Sequence, residues 1–133
     1  MIKGLGTDIV QIERVAASLQ RTRGRLLQRI LTPREQEIYH QKIEASEQQA
    51  LHYFAKRFAA KEAVGKALGT GIGQGVSWHH IEISNNSIGA PEVCLTEQAQ
   101  IHMERLGADS CHLSLSDEQE YAVAFVVLSA KLG

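Results

Sequence analysis

Residues 54–73 read "FAKRFAAKEAVGKALGTGIG", and the change within them from alanine-spaced charges to spaced glycines decides how the chain is built. Ala55, Ala59, Ala60, Ala63 and Ala67 are strong helix formers. They point in nearly every direction around a helical turn, which predicts a helix packed closely on several sides. Glycine ends helices because it accepts a left-handed backbone, so Gly69 and the glycines at 71, 73 and 75 stop this helix near Leu68. Ser46 followed by Gln49 is a capping box that starts it. Within it Lys56, Arg57, Lys61 and Lys66 surround one acid, Glu62, and residues three and four apart place Glu62 beside Phe58, Ala59, Gly65 and Lys66. An ion pair from Glu62 to Lys66 on a solvated face accounts for this pattern. A cradle for a ligand with several phosphates, in which the acid holds a cation, accounts for it too. Close packing leaves less free water, and charges without water need partners.

The glycines do not form a nucleotide motif. A dinucleotide fingerprint needs its glycines between a strand and a helix, and a Walker A loop needs glycine at 60 and Ser or Thr at 67, where the chain has Ala60 and Ala67.

Outward from this helix, "IKGLGTDIV" (2–10) reads as a strand ending near Asp8. The apolar positions Ile12, Val15, Ala16, Leu19, Leu26, Leu27 and Ile30 then predict one helix from Ile12 to Leu31, weakened around Gly24. In "TPRE" (32–35) Thr32 caps the next helix, Pro33 takes its first position and Glu35 completes a capping box. The second half changes character. "HIEIS" (80–84), "EVCL" (92–95), "CHLSLS" (111–116) and "YAVAFVVL" (121–128) read as strands, with a short helix from Thr96 to Leu106 closed by Gly107. "DEQE" (117–120) joins the last two strands as a hairpin. No repeat or linker interrupts the chain, so one α+β domain over 1–133 with an antiparallel-leaning sheet is expected.

At 133 residues, with 44% hydrophobic and 22% charged residues, the composition is that of a globular chain and excludes a disordered or fibrous one. Aromatics supply only 5%, so the core rests on aliphatic residues, and so small a core gains from oligomer contacts. The formal net charge of -1 gives no global field for nucleic acid or membrane, and no run approaches the length of a membrane span. A cytoplasmic location is expected. Cys94 and Cys111 lack metal or redox spacing and are expected to be small buried residues.

Local patches carry the chemistry. Mg²⁺ takes few protein carboxylates and completes its shell with water and phosphate oxygens, so Glu62 and one further acid suffice. Asp8, following Gly6 and Thr7 at a strand end, is the candidate, although a turn or cap role explains it equally. Arg14, Arg21 and Arg25 recur on one face of the predicted helix, which reads as a solvated basic face or as a surface for an acidic protein partner; without interleaved aromatics, nucleic acid fits less well. His112, Ser114 and Ser116 share one face of their strand, where they meet solvent or a phosphate or sugar.

Taken in order, "GLGTDIV" (4–10), "RIL" with "TPRE" (29–35), "FAKRFAAKEAVGKALGTGIG" (54–73) and "HLSLSDEQEYAVAFVV" (112–127) resemble the holo-acyl-carrier-protein synthase family of bacterial 4'-phosphopantetheinyl transferases. The resemblance covers almost the full length; residues 40–53 are the least typical. It implies transfer of the phosphopantetheine arm of coenzyme A to a serine of apo acyl carrier protein in fatty acid biosynthesis, with release of adenosine 3',5'-bisphosphate. On that resemblance Asp8 and Glu62 hold Mg²⁺ and Lys66 contacts the diphosphate. Arg57 and His112 lie near the 3'-phosphate and adenosine end, and Gly65, Ser116 and the turn from Gly89 to Pro91 line the coenzyme A cleft. Arg14, Arg21 and Arg25 face the carrier protein, and three subunits share sites between them. Either Glu62 or a metal-held water near Asp8 takes the serine proton. Two residues depart from the family pattern: Ala90, where lysine is frequent, and Asp117, where histidine is frequent. A non-catalytic module binding a nucleotide or an acidic protein would explain the cations but gives Asp8 and Glu62 no reason to share a metal.

Overall fold

The computed structural model describes residues 1–132. Its centre is the predicted alanine helix, α4 (Glu47–Leu68), lying across the inner face of a three-stranded antiparallel sheet. That sheet runs β1 (Ile2–Gln11), β5 (Tyr121–Ser129), β4 (Ser110–Asp117) in space. Along β5 the residues alternate: Ala122, Ala124, Val126 and Leu128 are fully buried, whereas Tyr121, Val123 and Phe125 face out. This two-residue period is the signature of a sheet with one face on the core. Ala59, Ala60, Ala63, Val64 and Ala67 of α4 pack with Ala124, Val126 and Leu128 in the main core. Small residues on both elements let backbone meet backbone. A Cβ on Gly6 would run into the carbonyl oxygen of Ala63 and come within 2.8 Å of the Ala67 amide nitrogen.

A second, two-stranded antiparallel sheet, β2 (Ile81–Asn85) with β3 (Pro91–Leu95), closes another side, and α5 (Glu97–Arg105) returns the chain to β4. The capping box of α3 (Pro33–Ala45) forms as expected, with the Glu35 amide donating to the Thr32 hydroxyl and the Thr32 amide donating to the Glu35 carboxylate. Ser46 caps α4, and Gly69 ends it with a φ of 82°. Sheet and helices form the expected single α+β unit.

Three expectations change. The helix predicted over 12–31 is two helices, α1 (Ile12–Arg21) and α2 (Arg25–Ile30). Thr22 explains the break: its hydroxyl donates to the Ser18 carbonyl and accepts from the Leu26 amide, while Arg23 and Gly24 take φ values of 54° and 85°. Arg25 therefore leaves the helix face shared by Arg14 and Arg21. Cys94 is exposed rather than buried, because it shares the outward side of β3 with Glu92; Cys111 is half-buried.

Lys61 gives the third correction. Instead of joining a cationic cradle it is wholly buried, paired with Glu35 at 2.6 Å, and its ammonium also donates to the carbonyls of Ile30 and Trp78. The second oxygen of Glu35 accepts the Ile83 amide at 2.8 Å. One ion pair thus ties α2, α3, α4 and β2 together, with both of its buried charges partnered as burial demands.

Candidate active site

Asp8 lies opposite Ala124 in the sheet, so it shares the inner face of β1 with Gly4, Gly6 and Val10, while Leu5, Thr7 and Ile9 point the other way. Close packing at Gly6 brings β1 against the second half of α4, where Glu62 and Lys66 stand one turn apart. The Lys66 ammonium reaches back to β1, donating to Asp8 Oδ1 and to the Thr7 carbonyl, each at 3.0 Å. The Asp8 side chain is only 15% exposed, against 52% for Lys66. Burial pushes the Glu62 carboxyl above its ordinary range, the negative charge of Asp8 pushes it further, and Lys66 pulls it back. Asp8, Glu62 and Lys66, distant in sequence, therefore form one electrostatic group.

The remaining predicted residues fall into two sets. Arg57 is buried: it stacks over Tyr53 at 4.4 Å from the ring centroid and donates through Nη2 to Asn85 Oδ1 at 2.7 Å. Asn85 in turn donates to the Gly89 carbonyl, so α4 is wired through Asn85 to the turn that precedes Pro91. That turn is held from inside, with the Asn86 side chain accepting from the amides of Ile88 and Ala90. Gly65 is buried under the loop after α4; the Gly71 amide donates to its carbonyl, and a Cβ there would sit 2.9 Å from Gly71.

His112 and Ser116 lie on the outer face of the three-stranded sheet, since their β4 neighbours Leu113 and Leu115 pack into the core. His112 Nε2 meets the Ser129 hydroxyl at 3.0 Å. Within one chain, then, these two residues stand on the side of the sheet opposite to Asp8 and Glu62. The same outer face carries Leu5 (56% exposed), Ile9 (63%), Phe125 (47%) and Val123 (36%). Arg14 lies exposed beside a hollow of about 250 Å³ formed by Ile9, Val10, Val15, Leu26 and Phe58, next to the β1 end of the site.

Sequence reasoning missed Asn85, which no motif singles out, and the buried partnership of Glu35 with Lys61. A charged residue amid "FAA" and "EA" was the available signal for the latter. Asp117, the departure from the family pattern, accepts from His52 Nδ1 at 2.7 Å and faces Lys56 at 3.6 Å, pinning the β4–β5 hairpin to α4. No cluster of three or more His, Cys, Asp or Glu residues exists among the described residues. No helix among them is long and apolar enough to cross a membrane.

Comparison with known proteins bears on the family and the fold. A curated holo-[acyl-carrier-protein] synthase of Shewanella oneidensis is 50% identical over 130 residues, 98% of both chains. The crystal structure of the holo-[acyl-carrier-protein] synthase from Neisseria meningitidis superposes with a TM-score of 0.86 at 39% identity, covering 97% of this chain and 99% of that one. A holo-(acyl-carrier-protein) synthase from Bacillus anthracis, solved in complex with CoA (3',5'-ADP), gives 0.81 at 35% identity over 98% and 99%. The model of the 4'-phosphopantetheinyl transferase superfamily matches residues 4–126, and this α+β chain belongs to that family.

Proposed function

We propose that this chain transfers the 4'-phosphopantetheine group of coenzyme A to a serine of apo acyl carrier protein, releasing adenosine 3',5'-bisphosphate, with Mg²⁺ as cofactor. The observation that carries the reading is the convergence of Asp8, Glu62 and Lys66 from β1 and α4. Their donor set fits Mg²⁺: hard carboxylate oxygens, no soft ligand beside them, and too few protein groups to fill a shell without water and phosphate. Bound to these carboxylates, the ion supplies charge neutralisation for the diphosphate.

The chain's own groups divide the remaining work. Lys66 Nζ, half exposed on a flexible stem, offsets negative charge on the departing phosphate oxygen. Either the Glu62 carboxylate or a water near Asp8 takes the serine hydroxyl proton. Arg57 acts from the core, fixing Asn85 and through it the turn at Gly89 to Pro91 that lines the nucleotide side. Gly65, lacking a side chain, lets the loop at Gly71 close on α4 and shape the coenzyme A cleft beside Lys66. His112 and Ser116 contact the 3'-phosphate and adenosine end.

That last assignment requires a second subunit, because His112 and Ser116 stand on the opposite sheet face from Asp8. The apolar outer face of Leu5, Ile9, Val123 and Phe125 supports such pairing, and a homotrimer with sites between subunits completes the cleft. Arg14 and Arg21 on α1, helped by Arg25 on α2, steer the acidic carrier protein. Residues 1–133 form one transferase domain.

Incubating apo acyl carrier protein with coenzyme A, Mg²⁺ and this protein is expected to add about 340 Da, the mass of the phosphopantetheine arm moved by such a transfer. No mass gain at micromolar enzyme overturns the reading.

A further inference from the structure

Lys66 spends its ammonium on the carboxylate that the proposed cation also needs. Nζ sits 3.0 Å from Asp8 Oδ1 and 3.0 Å from the Thr7 carbonyl, so two acceptors of β1 fix it there. An ammonium on one oxygen of Asp8 repels a divalent ion brought to the same carboxylate, and strongly so beside a side chain this enclosed. Asp8 is enclosed, at 15% exposure, whereas Lys66 at 52% has solvent into which its four-carbon stem can swing. Its backbone stays fixed, since the Lys66 carbonyl accepts the Gly69 amide at the end of α4. One partner of the pair is enclosed and the other has solvent to move into.

We propose that Lys66 is an exchangeable counter-ion: its ammonium holds the Asp8 carboxylate until a divalent cation takes it, and the displaced ammonium turns to the diphosphate. This rests on the reading of Asp8 and Glu62 as the cation's ligands. Two consequences follow from the shared carboxylate. Lys66 weakens cation binding to the free protein. Coenzyme A, by drawing the ammonium onto its diphosphate, strengthens cation binding, and by reciprocity the cation strengthens coenzyme A binding. Loading is thereby ordered without any moving loop: the cation binds firmly only where a diphosphate has arrived to receive the lysine.

The test is Mn²⁺ affinity, measured by electron paramagnetic resonance of free Mn²⁺ with and without coenzyme A. Lys66→Met, which keeps the stem and removes the charge, is expected to bind Mn²⁺ about tenfold more tightly than the wild type without coenzyme A, within the range of ordinary site-to-site coupling. Coenzyme A is expected to tighten Mn²⁺ binding more in the wild type than in Lys66→Met. Lys66→Arg, which keeps the charge, is expected to bind Mn²⁺ as weakly as the wild type. The Lys66 ammonium resonance, followed by ¹⁵N NMR, is expected to lose its protection in Asp8→Asn and on adding Mg²⁺ to the wild type. Equal Mn²⁺ affinities in the wild type and Lys66→Met, with binding lost in Asp8→Asn, overturn the counter-ion role and leave the metal site standing. Absence of Mn²⁺ binding in the wild type and in Lys66→Met, with and without coenzyme A, overturns both.

Discussion

Gly6→Ala tests whether the distance between β1 and α4 sets the reaction. The added Cβ would overlap the Ala63 carbonyl oxygen, part of helix backbone that cannot rotate away, and would press on the Ala67 amide nitrogen at 2.8 Å. Non-bonded heavy atoms settle roughly 3.5 Å apart, so strand and helix must part by about 1 Å. Overpacking of this kind costs about 1–3 kcal/mol, which a domain with about 5–15 kcal/mol of stability survives. Asp8 stands two residues beyond Gly6 and on the same face, so it moves away from Glu62 and Lys66 by a similar distance. Misplacement of reacting groups by about 1 Å costs on the order of 10²-fold in rate. The expected result is a folded protein by circular dichroism, a lowered melting temperature, and a transfer rate down about 10²-fold by the mass assay. Gly107→Ala is the control. Its φ of 80° makes alanine strained, but the new Cβ meets nothing nearer than the Lys3 side chain at 3.6 Å. It should lose stability and keep its rate. Wild-type turnover in folded Gly6→Ala would refute the claim that this close approach assembles the site.

Asp8→Asn and Glu62→Gln should each lower transfer by at least about 10²-fold while the melting curve keeps its shape, because neither carboxylate supports the core. Lys61→Met should behave oppositely. It leaves Glu35 buried without its cation, costing about 3–5 kcal/mol in denaturant unfolding, and a loss under about 1 kcal/mol would refute the buried pair. Reversing Arg14 and Arg21 to Glu should raise KM for the carrier protein far more than KM for coenzyme A, with an association rate in the wild type that falls as salt rises. Burial pushes the Cys111 thiol up to about 12, so at pH 8 it stays protonated and resists iodoacetamide, whereas exposed Cys94 is alkylated. Equal labelling of both in the folded protein would contradict the packing of β4.

The site was legible in the sequence to the extent that its residues announce chemistry by type. Glu62 and Lys66 sit one helical turn apart, and that spacing alone places them on one face. Asp8 required more: only the glycines of "GLG" hinted that β1 approaches another backbone, and which backbone it approaches is a long-range fact that no local pattern contains. The same limit explains the error over Lys61. Helical periodicity gives a residue's direction around the axis but not what waits there, and the partner that takes Lys61 inside, Glu35, already had a complete local explanation as a capping residue. It does both jobs through one oxygen, since Oε1 accepts from the Thr32 amide and pairs with Lys61, which leaves Oε2 for the Ile83 amide. The break at Thr22 was hidden for a related reason, since a threonine hydroxyl can support a helix or end it, and only the left-handed residues after it decide.

Strand parity reaches furthest beyond the single chain. The alternation in "HLSLS" already separates His112 and Ser116 from Leu113 and Leu115, and the alternation in β1 separates Asp8 from Thr7 and Ile9. The sequence leaves unstated that both strands flank β5, so that the polar side of one lies back to back with the Asp8 side of the other. A ligand that needs both sides cannot be held by one copy of this sheet. Either the nucleotide contacts assigned to His112 and Ser116 come from a neighbouring subunit seated on the exposed Leu5, Ile9 and Phe125 surface, or those contacts do not exist. Mixing inactive Asp8→Asn with His112→Ala chains separates the two cases. Shared sites regain activity in mixed assemblies, because some clefts then draw Asp8 and His112 from intact partners, whereas self-contained sites show only the sum of the two variants.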